Sequence, residues 1–298
     1  MKLLECVPNI SEGRDPGKIE RIAREVETQP GVTLLDVSSD KDHHRTVLTF
    51  IGEPGAVKEA ALSMAVKAIE LIDMTQHQGA HPRLGAVDVV PFVPIQGVTL
   101  EEAAQVAHEF GRDWGRRGVP VFFYEASART PERKDLPSIR KGEYEGLPEK
   151  LRDPRWVPDE GPAIFNARAG ATVVGARFPL VAYNVNLRTD DLSLAKEIAK
   201  KVRFRDGGFP HVRAMGVSLA EKGRVQVSMN LTDYRVTSIP TVFEFVKEEA
   251  SKKGVGVEES EVIGSIPLNA VEGIVRHYLR CPEFSTRQII EQRLLELE

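Results

Sequence analysis

Cysteine is scarce in this 298-residue chain, which has only Cys6 and Cys281. That excludes a disulfide framework and a cysteine-ligated zinc centre, and it suits a reduced compartment. No run approaches the roughly 20 apolar residues that span a bilayer. The N-terminal MKLLECVPNISEG has no long apolar core ahead of a cleavage site, so no signal peptide is expected. Neither sign of charge prevails: 40 basic and 44 acidic residues leave a formal net charge of −4, with no global pull toward nucleic acid. The common phosphate-binding glycine motifs are missing too. GATVVGAR (170–177) lacks the GK[ST] ending of a P-loop, and no GxGxxG occurs. What is present is 41% hydrophobic and 28% charged, the balance of a soluble, cytoplasmic protein with a packed core. The length suffices for two modest domains.

Periodicity organises the chain into alternating strands and helices. LLECVPN (Leu3 to Asn9) reads as a strand, and DPGKIERIAREVET as a helix with Asp15 as N-cap and Pro16 in its first turn. Val32 to Ser38 and Arg45 to Gly52 read as strands. Pro54 opens a helix whose apolar residues recur three and four apart, and the strand AVDVVPFV follows. The order is β-α-β-β-α-β, extended by a helix (LEEAAQVAHEFGRDW) and a strand (VPVFFYE). The second half repeats that order. It runs LVAYNVNL, LSLAKEIAKKVR, HVRAMGVSLA, RVQVSMNL after a turn at Glu221 to Gly223, TVFEFVKEEASKK and VEESEVIGSIP. The expected fold class is α+β: two ferredoxin-like (βαββαβ) subdomains, residues 1–176 and 177–298, with a ligand cleft between them. A polar connector, 126–162, is dense in Pro, Gly and charge and should wrap the surface.

Three stretches could carry chemistry. QHQGAHP places His77 and His81 four apart, a spacing that on a helix could grip a metal. Gly79 and Pro82 oppose a continuous helix there. No HExxH glutamate, cysteine or suitably spaced acid accompanies the pair, so a metal site is not expected. A loop histidine can move a proton near neutral pH; a histidine that merely hydrogen-bonds in its loop is the competing reading. SSDKDHHRTV (38–47) gathers Asp40, Asp42, His43, His44 and Arg45 into one turn. Arg45 suits a carboxylate, whereas His43 reads as solvated. GPAIFNARAGATVVGAR (161–177) is either a glycine-rich linker or a place where backbone approaches a flat ligand, with Arg168 and Arg177 available for its acids. Cys6 reads as a small buried hydrophobe, and Asn9, Ser11 and Glu12 stand at the end of its strand.

Taken together, ECVPNISEGRD, LLDV…HHRTVLTFIG, IDMTQHQGAHPRLGAVDVVPFVP and GPAIFNARAGATVVGARFPLVAYNVNL resemble the glutamate formiminotransferase family. That family also forms the N-terminal part of the bifunctional formiminotransferase–cyclodeaminase; a cyclodeaminase domain is not expected within this chain. The likeness covers nearly the whole sequence with its motifs in order. It implies two α/β subdomains with folate between them, and transfer of a formimino group from N-formimino-L-glutamate to N5 of tetrahydrofolate. This is a one-carbon step of histidine degradation and needs no metal. The resemblance gives His81 the acid–base role, with His77 a bystander. It implies folate contacts from Gly161, Pro162, Ala163, Ile164, Phe165, Asn166, Ala167, Arg168, Ala169 and Gly170. Substrate contacts from Arg45, His44, Asp40, Arg177 and Asn9 are the further expectation. A homodimer and a separate cyclodeaminase partner are implied as well. Two departures bear on the donor: Ser38 stands where many relatives carry an acid after LLDV, and His44 where they often carry Asn. They keep N-formyl-L-glutamate as an alternative donor. A folate-binding protein without turnover and a metal-dependent amidohydrolase are readings from other classes.

Overall fold

A computed structural model describes residues 2–219 and 223–295, in two units, Met1–Arg177 and Phe178–Glu298. In the first unit the opening strand is broken. β1 (Leu3–Cys6) and β2 (Asn9–Ile10) flank Val7 and Pro8 where one strand was expected, because Pro8 has no N–H to give a ladder. Its carbonyl still accepts from Leu48 N at 3.0 Å. α1 (Pro16–Glu27) begins where Asp15 accepts from Lys18 N, and it buries Ile19, Ile22, Ala23 and Val26, a stripe at helical spacing. β3 (Val32–Asp40) and β4 (Arg45–Gly52) form a hairpin with a tight four-residue tip. α2 (Pro54–Leu71), β5 (Val87–Gln96) and α3 (Leu100–Gly115) follow, α3 starting in a capping box between Thr99 and Glu102. The sheet runs β3-β4-(β1,β2)-β5 with antiparallel pairs.

Beyond β5 the sheet becomes parallel. β6 (Val121–Glu125) pairs with β7 (Thr172–Ala176), which inserts between β6 and β5. The sequence reading took β7's stretch for loop or linker. Its five residues are all buried, as a central parallel strand with covered faces must be. The connector also departs from expectation. Instead of lying wholly on the surface, its short α4 (Leu136–Arg140) and α5 (Leu147–Lys150) sink Ile139 and Leu147 into a cluster with Phe122, Tyr124 and Val173. Arg133, buried, pairs with Asp159 at 2.8 Å and lies over the Trp156 ring. A few apolar anchors hold a polar segment down; their number was too small to show as periodicity.

The second unit has its own core, including Val185, Leu187, Ile198, Val227, Met229 and Val246. Its elements are β8 (Val181–Leu187), α6 (Leu192–Val202), β9 (Val212–Leu219), β10 (Arg224–Leu231), α7 (Ile239–Ser251), β11 (Val257–Ile263), α8 (Leu268–Tyr278) and α9 (Ile290–Leu295). Asp191 caps α6, accepting from Ser193 N at 2.9 Å. The antiparallel sheet has the order β11-β8-β10-β9. With β1 and β2 counted as one interrupted strand, β5, β4 and β3 stand in the same relation in the first unit. In each, the fourth strand of a β-α-β-β-α-β run lies beside the first, the first beside the third, and the third beside the second. The turn expected at Glu221 to Gly223 falls, apart from Gly223, outside the described residues.

Candidate active site

Two irregular segments of the first unit meet to build the site. One is the β3–β4 tip with His43, His44 and Arg45; the other is the loop from α2 to β5, which carries His77, His81 and Arg83. The loop makes a single 3-10 turn, Met74–Gln76, with Asp73 capping it, and no helix joins His77 to His81. Contact between the segments depends on Gly79. A β-carbon there would stand 2.4 Å from the His43 carbonyl oxygen and 2.8 Å from His44 Cβ. Next to it, Ala80 N donates to Asp42 O at 3.1 Å.

His77 is held in one tautomer. Its Nε2–H donates to His44 O at 2.9 Å, so Nδ1 is the acceptor for Arg83 Nε at 3.2 Å. The ring stacks on His44, centroids 4.3 Å apart. Burial first, then the nearby positive charges, keeps its pKa below the ordinary histidine value, the His44 backbone partly opposing. With both nitrogens engaged, His77 organises the loop. Arg83, 7% exposed, extends the chain of contacts with a two-armed grip on Glu145 (2.8 and 2.5 Å) and a bond to Glu143 at 3.0 Å.

His44 adopts a left-handed φ of 50°. Its Nδ1 lies 3.0 Å from Gln78 O and its Nε2 3.1 Å from Glu12 Oε1. Glu12, which the sequence places at the strand end without a role, is a buttress. Its Oε1 accepts backbone N–H groups from Gly13, Arg14 and Asp15 at 3.0, 2.9 and 3.1 Å. Burial by itself would raise its pKa; those donors and His44 outweigh it and leave the carboxyl below its ordinary value. No spacing rule flags such a residue, because its partners are backbone groups of a local turn.

Arg45 and His81 form the centre. Arg45 Nη1 donates to Asn9 Oδ1 at 3.0 Å and to His81 Nε2 at 2.8 Å. Because arginine only donates, Nε2 is the acceptor and the proton of neutral His81 sits on Nδ1. That Nδ1 is buried and, among the described residues, has no hydrogen-bond partner within ordinary distance. The His81 pKa is pushed down to about 3, by burial first and then by the charges of Arg45, Arg140 and His43. At neutral pH the ring is uncharged. Arg140, supplied by α4 of the connector, pairs with buried Asp88, which also accepts from Leu84 N at 2.8 Å. Both were invisible in the sequence, since the connector reads as solvated and Asp88 interrupts a strand. Ser11, donating to Gly85 O at 2.8 Å, completes the lining.

The remaining expected residues lie around this centre. Asp40 holds His43, through its backbone N at 2.7 Å and its Nδ1 at 2.9 Å, on the exposed side of the tip. Arg177, at the end of β7, sits with Glu5 and Tyr124 and is not part of the histidine cluster. The 161–170 stretch borders the histidine loop. Arg168 O accepts from Met74 N at 3.0 Å, Arg168 Nη2 reaches Glu70 O at 2.9 Å, and Ala169 O accepts from Ala86 N at 2.9 Å. Asn166 ties the stretch to itself, accepting from Ala169 N at 3.0 Å, while Ile164 stays 71% exposed. The arrangement is rich in cations around a neutral imidazole. It suits anionic reactants and proton transfer.

The family model described as "Formiminotransferase domain, N-terminal subdomain" matches residues 3–177, and "Formiminotransferase domain" matches 182–297. Glutamate formimidoyltransferase from Streptococcus pyogenes is 44% identical over 296 residues, 99% of each chain. Its namesake from Thermoplasma acidophilum is 41% identical over 99% of this chain and 98% of that one. Formimidoyltransferase-cyclodeaminase from Sus scrofa is 46% identical over 91% of this chain and 51% of its own length.

Proposed function

The chain belongs to the formiminotransferase family, and from that premise we propose that it is a glutamate formimidoyltransferase. It moves the formimino group of N-formimino-L-glutamate to N5 of tetrahydrofolate, its co-substrate. The observation that carries this reading is likeness over almost the full length of two enzymes bearing that name.

His81 serves as the base and then as the acid. Attack of N5 on the formimino carbon makes a C–N bond and leaves N5 with a proton to lose; a tetrahedral intermediate results. His81 takes that proton and returns it to the glutamate nitrogen as the old C–N bond breaks, so no proton is gained or lost overall. A ring held neutral by its surroundings is in the form that can accept. Arg45, oriented by Asn9, receives a substrate carboxylate, and Arg168 and Arg177 are further candidates for the acids of the two reactants. The backbone of 161–170, beside the histidine loop, is the folate-contacting stretch. Holding both reactants in register supplies much of the remaining acceleration. His44 acts from behind, its ring turned to Glu12 and Gln78, so its departure from the family's Asn is accommodated within the protein. Asp40 orients His43 at the rim. The homodimer and a separate cyclodeaminase partner belong to the same reading, with light scattering as the test of the first.

Among the described residues no helix is long and apolar enough to cross a membrane. The test is turnover with tetrahydrofolate and each donor separately, the product being converted in acid to the methenyl folate and read by absorbance. Activity with formiminoglutamate that collapses in His81→Ala supports reaction and base together. Turnover only with formylglutamate renames the donor.

A further inference from the structure

As it stands, His81 offers no nitrogen to a reactant. Nε2 is covered by Arg45 at 2.8 Å, and Nδ1 is shut inside the protein. Arg45 is itself incompletely matched. It is half-buried, its bonded acceptors are an amide oxygen and an imidazole, and among the described residues it makes no ion pair. The other charges around it are committed elsewhere. Asp88 on β5 is paired with Arg140 of α4, Asp40 at the end of β3 with His43 of the tip, and Glu12 with His44 and backbone donors. A half-buried guanidinium whose bonded partners are both neutral is an unmet demand for an anion.

We propose that Arg45 is a substrate-operated latch on His81: its guanidinium covers the Nε2 lone pair in the free protein and turns to an incoming carboxylate, leaving that lone pair free to take a proton. The inference rests on the reading of this site as one for carboxylate-bearing substrates and adds a positioning role to Arg45. The exchange is favourable because a carboxylate brings an opposite charge and a two-pronged match to a guanidinium whose present acceptors are both neutral. Two effects then raise the proton affinity of His81 together. Nε2 loses its donor, and the positive charge beside it is neutralised by the bound anion. Carboxylate binding and proton uptake must therefore favour each other by the same factor. The enzyme so built has an effective base only when a substrate is in place.

The test is nitrogen NMR of histidine-labelled full-length protein, following the His81 ring through pH with and without glutarate, an unreactive dicarboxylate. In the free protein Nε2 should report an accepted hydrogen bond and the ring should stay neutral through mildly acidic pH. Saturating glutarate should move the His81 midpoint up by about one pH unit or more, a tenfold gain in proton affinity, while the uncharged diamide glutaramide should not. In Arg45→Gln the midpoint should be raised without ligand and should no longer answer to glutarate. A midpoint that glutarate leaves in place at every concentration overturns the latch, as does an Arg45→Gln protein that titrates like the wild type. The ligand titration needs no variant, so a misfolded mutant does not decide the matter. A glutarate response in a protein that transfers no formimino group would keep the latch and remove the proposed reaction. His81-dependent turnover without that response would do the reverse.

Discussion

His77 and His81 are four residues apart and differ in every hydrogen-bond partner. Gly79 and Pro82 are enough to foresee that no helix puts them on one face, and the loop agrees. Neighbours distant in sequence give the two rings different surroundings. His44 O and Arg83 occupy both nitrogens of His77, whereas Arg45 meets His81 Nε2 and, among the described residues, nothing meets its buried Nδ1. Replacing His81 with Ala should lower turnover by about 10²–10⁴-fold, the usual contribution of a positioned acid–base group, with folate binding retained in an equilibrium assay. Arg83→Ala leaves the Nδ1 of buried His77 without its donor. It should cost about 1–3 kcal/mol in urea unfolding, while Arg83→Lys restores the charge but not the fork that holds Glu145 and should recover only part of the loss.

Among the elements, the decisive contact is between the β3–β4 tip and the α2–β5 loop. Gly79 is legible as a helix breaker, but its packing against the His43 backbone is a tertiary fact. Gly79→Ala should push the loop off the tip, because the obstructing atoms are the His43 carbonyl and the His44 β-carbon, which no side-chain rotation moves aside. The expected result is a melting temperature lower by several degrees, as a cost of one or two kcal/mol produces. Turnover should fall more than about tenfold, as misplacement of a catalytic group does. Melting curves and initial rates on the same preparation check both. β7 and the connector show the limits of reading elements from pattern. A five-residue buried strand containing glycine carries no alternation, and Arg140 reaches the site from a stretch whose composition reads as solvent-exposed.

At the scale of the molecule, the depressed histidines set how stability answers to acid. The His81 pKa falls from 6.5 to about 3 on folding. Between those values the unfolded chain holds a proton that the folded ring does not, so stability is full above pH 6.5 and declines as pH drops through the window. One such proton gives a slope of at most about 1.4 kcal/mol per pH unit. His77, also depressed, adds in the same direction. Glu12 acts later: its lowered pKa contributes stability above the ordinary carboxyl value, lost as pH falls through its folded value. Urea midpoints measured from pH 7 to 4 should therefore begin to fall near pH 6.5, ahead of carboxylate titration. The limb should be shallower in His81→Ala. A flat midpoint down to pH 5 would contradict the burial of these rings.

The β-α-β-β-α-β order of each half, the apolar face of α2 and the cap at Asp15 were written in the sequence, because each depends on residues within a turn or two. Motif likeness likewise located the family. Tertiary structure alone decided the site's electrostatics: that Arg45 faces an imidazole, that Asp88 answers Arg140 from 52 positions away, and that Glu12 braces His44. Those pairings depend on distance and desolvation between chain segments, and neither quantity is encoded in local pattern.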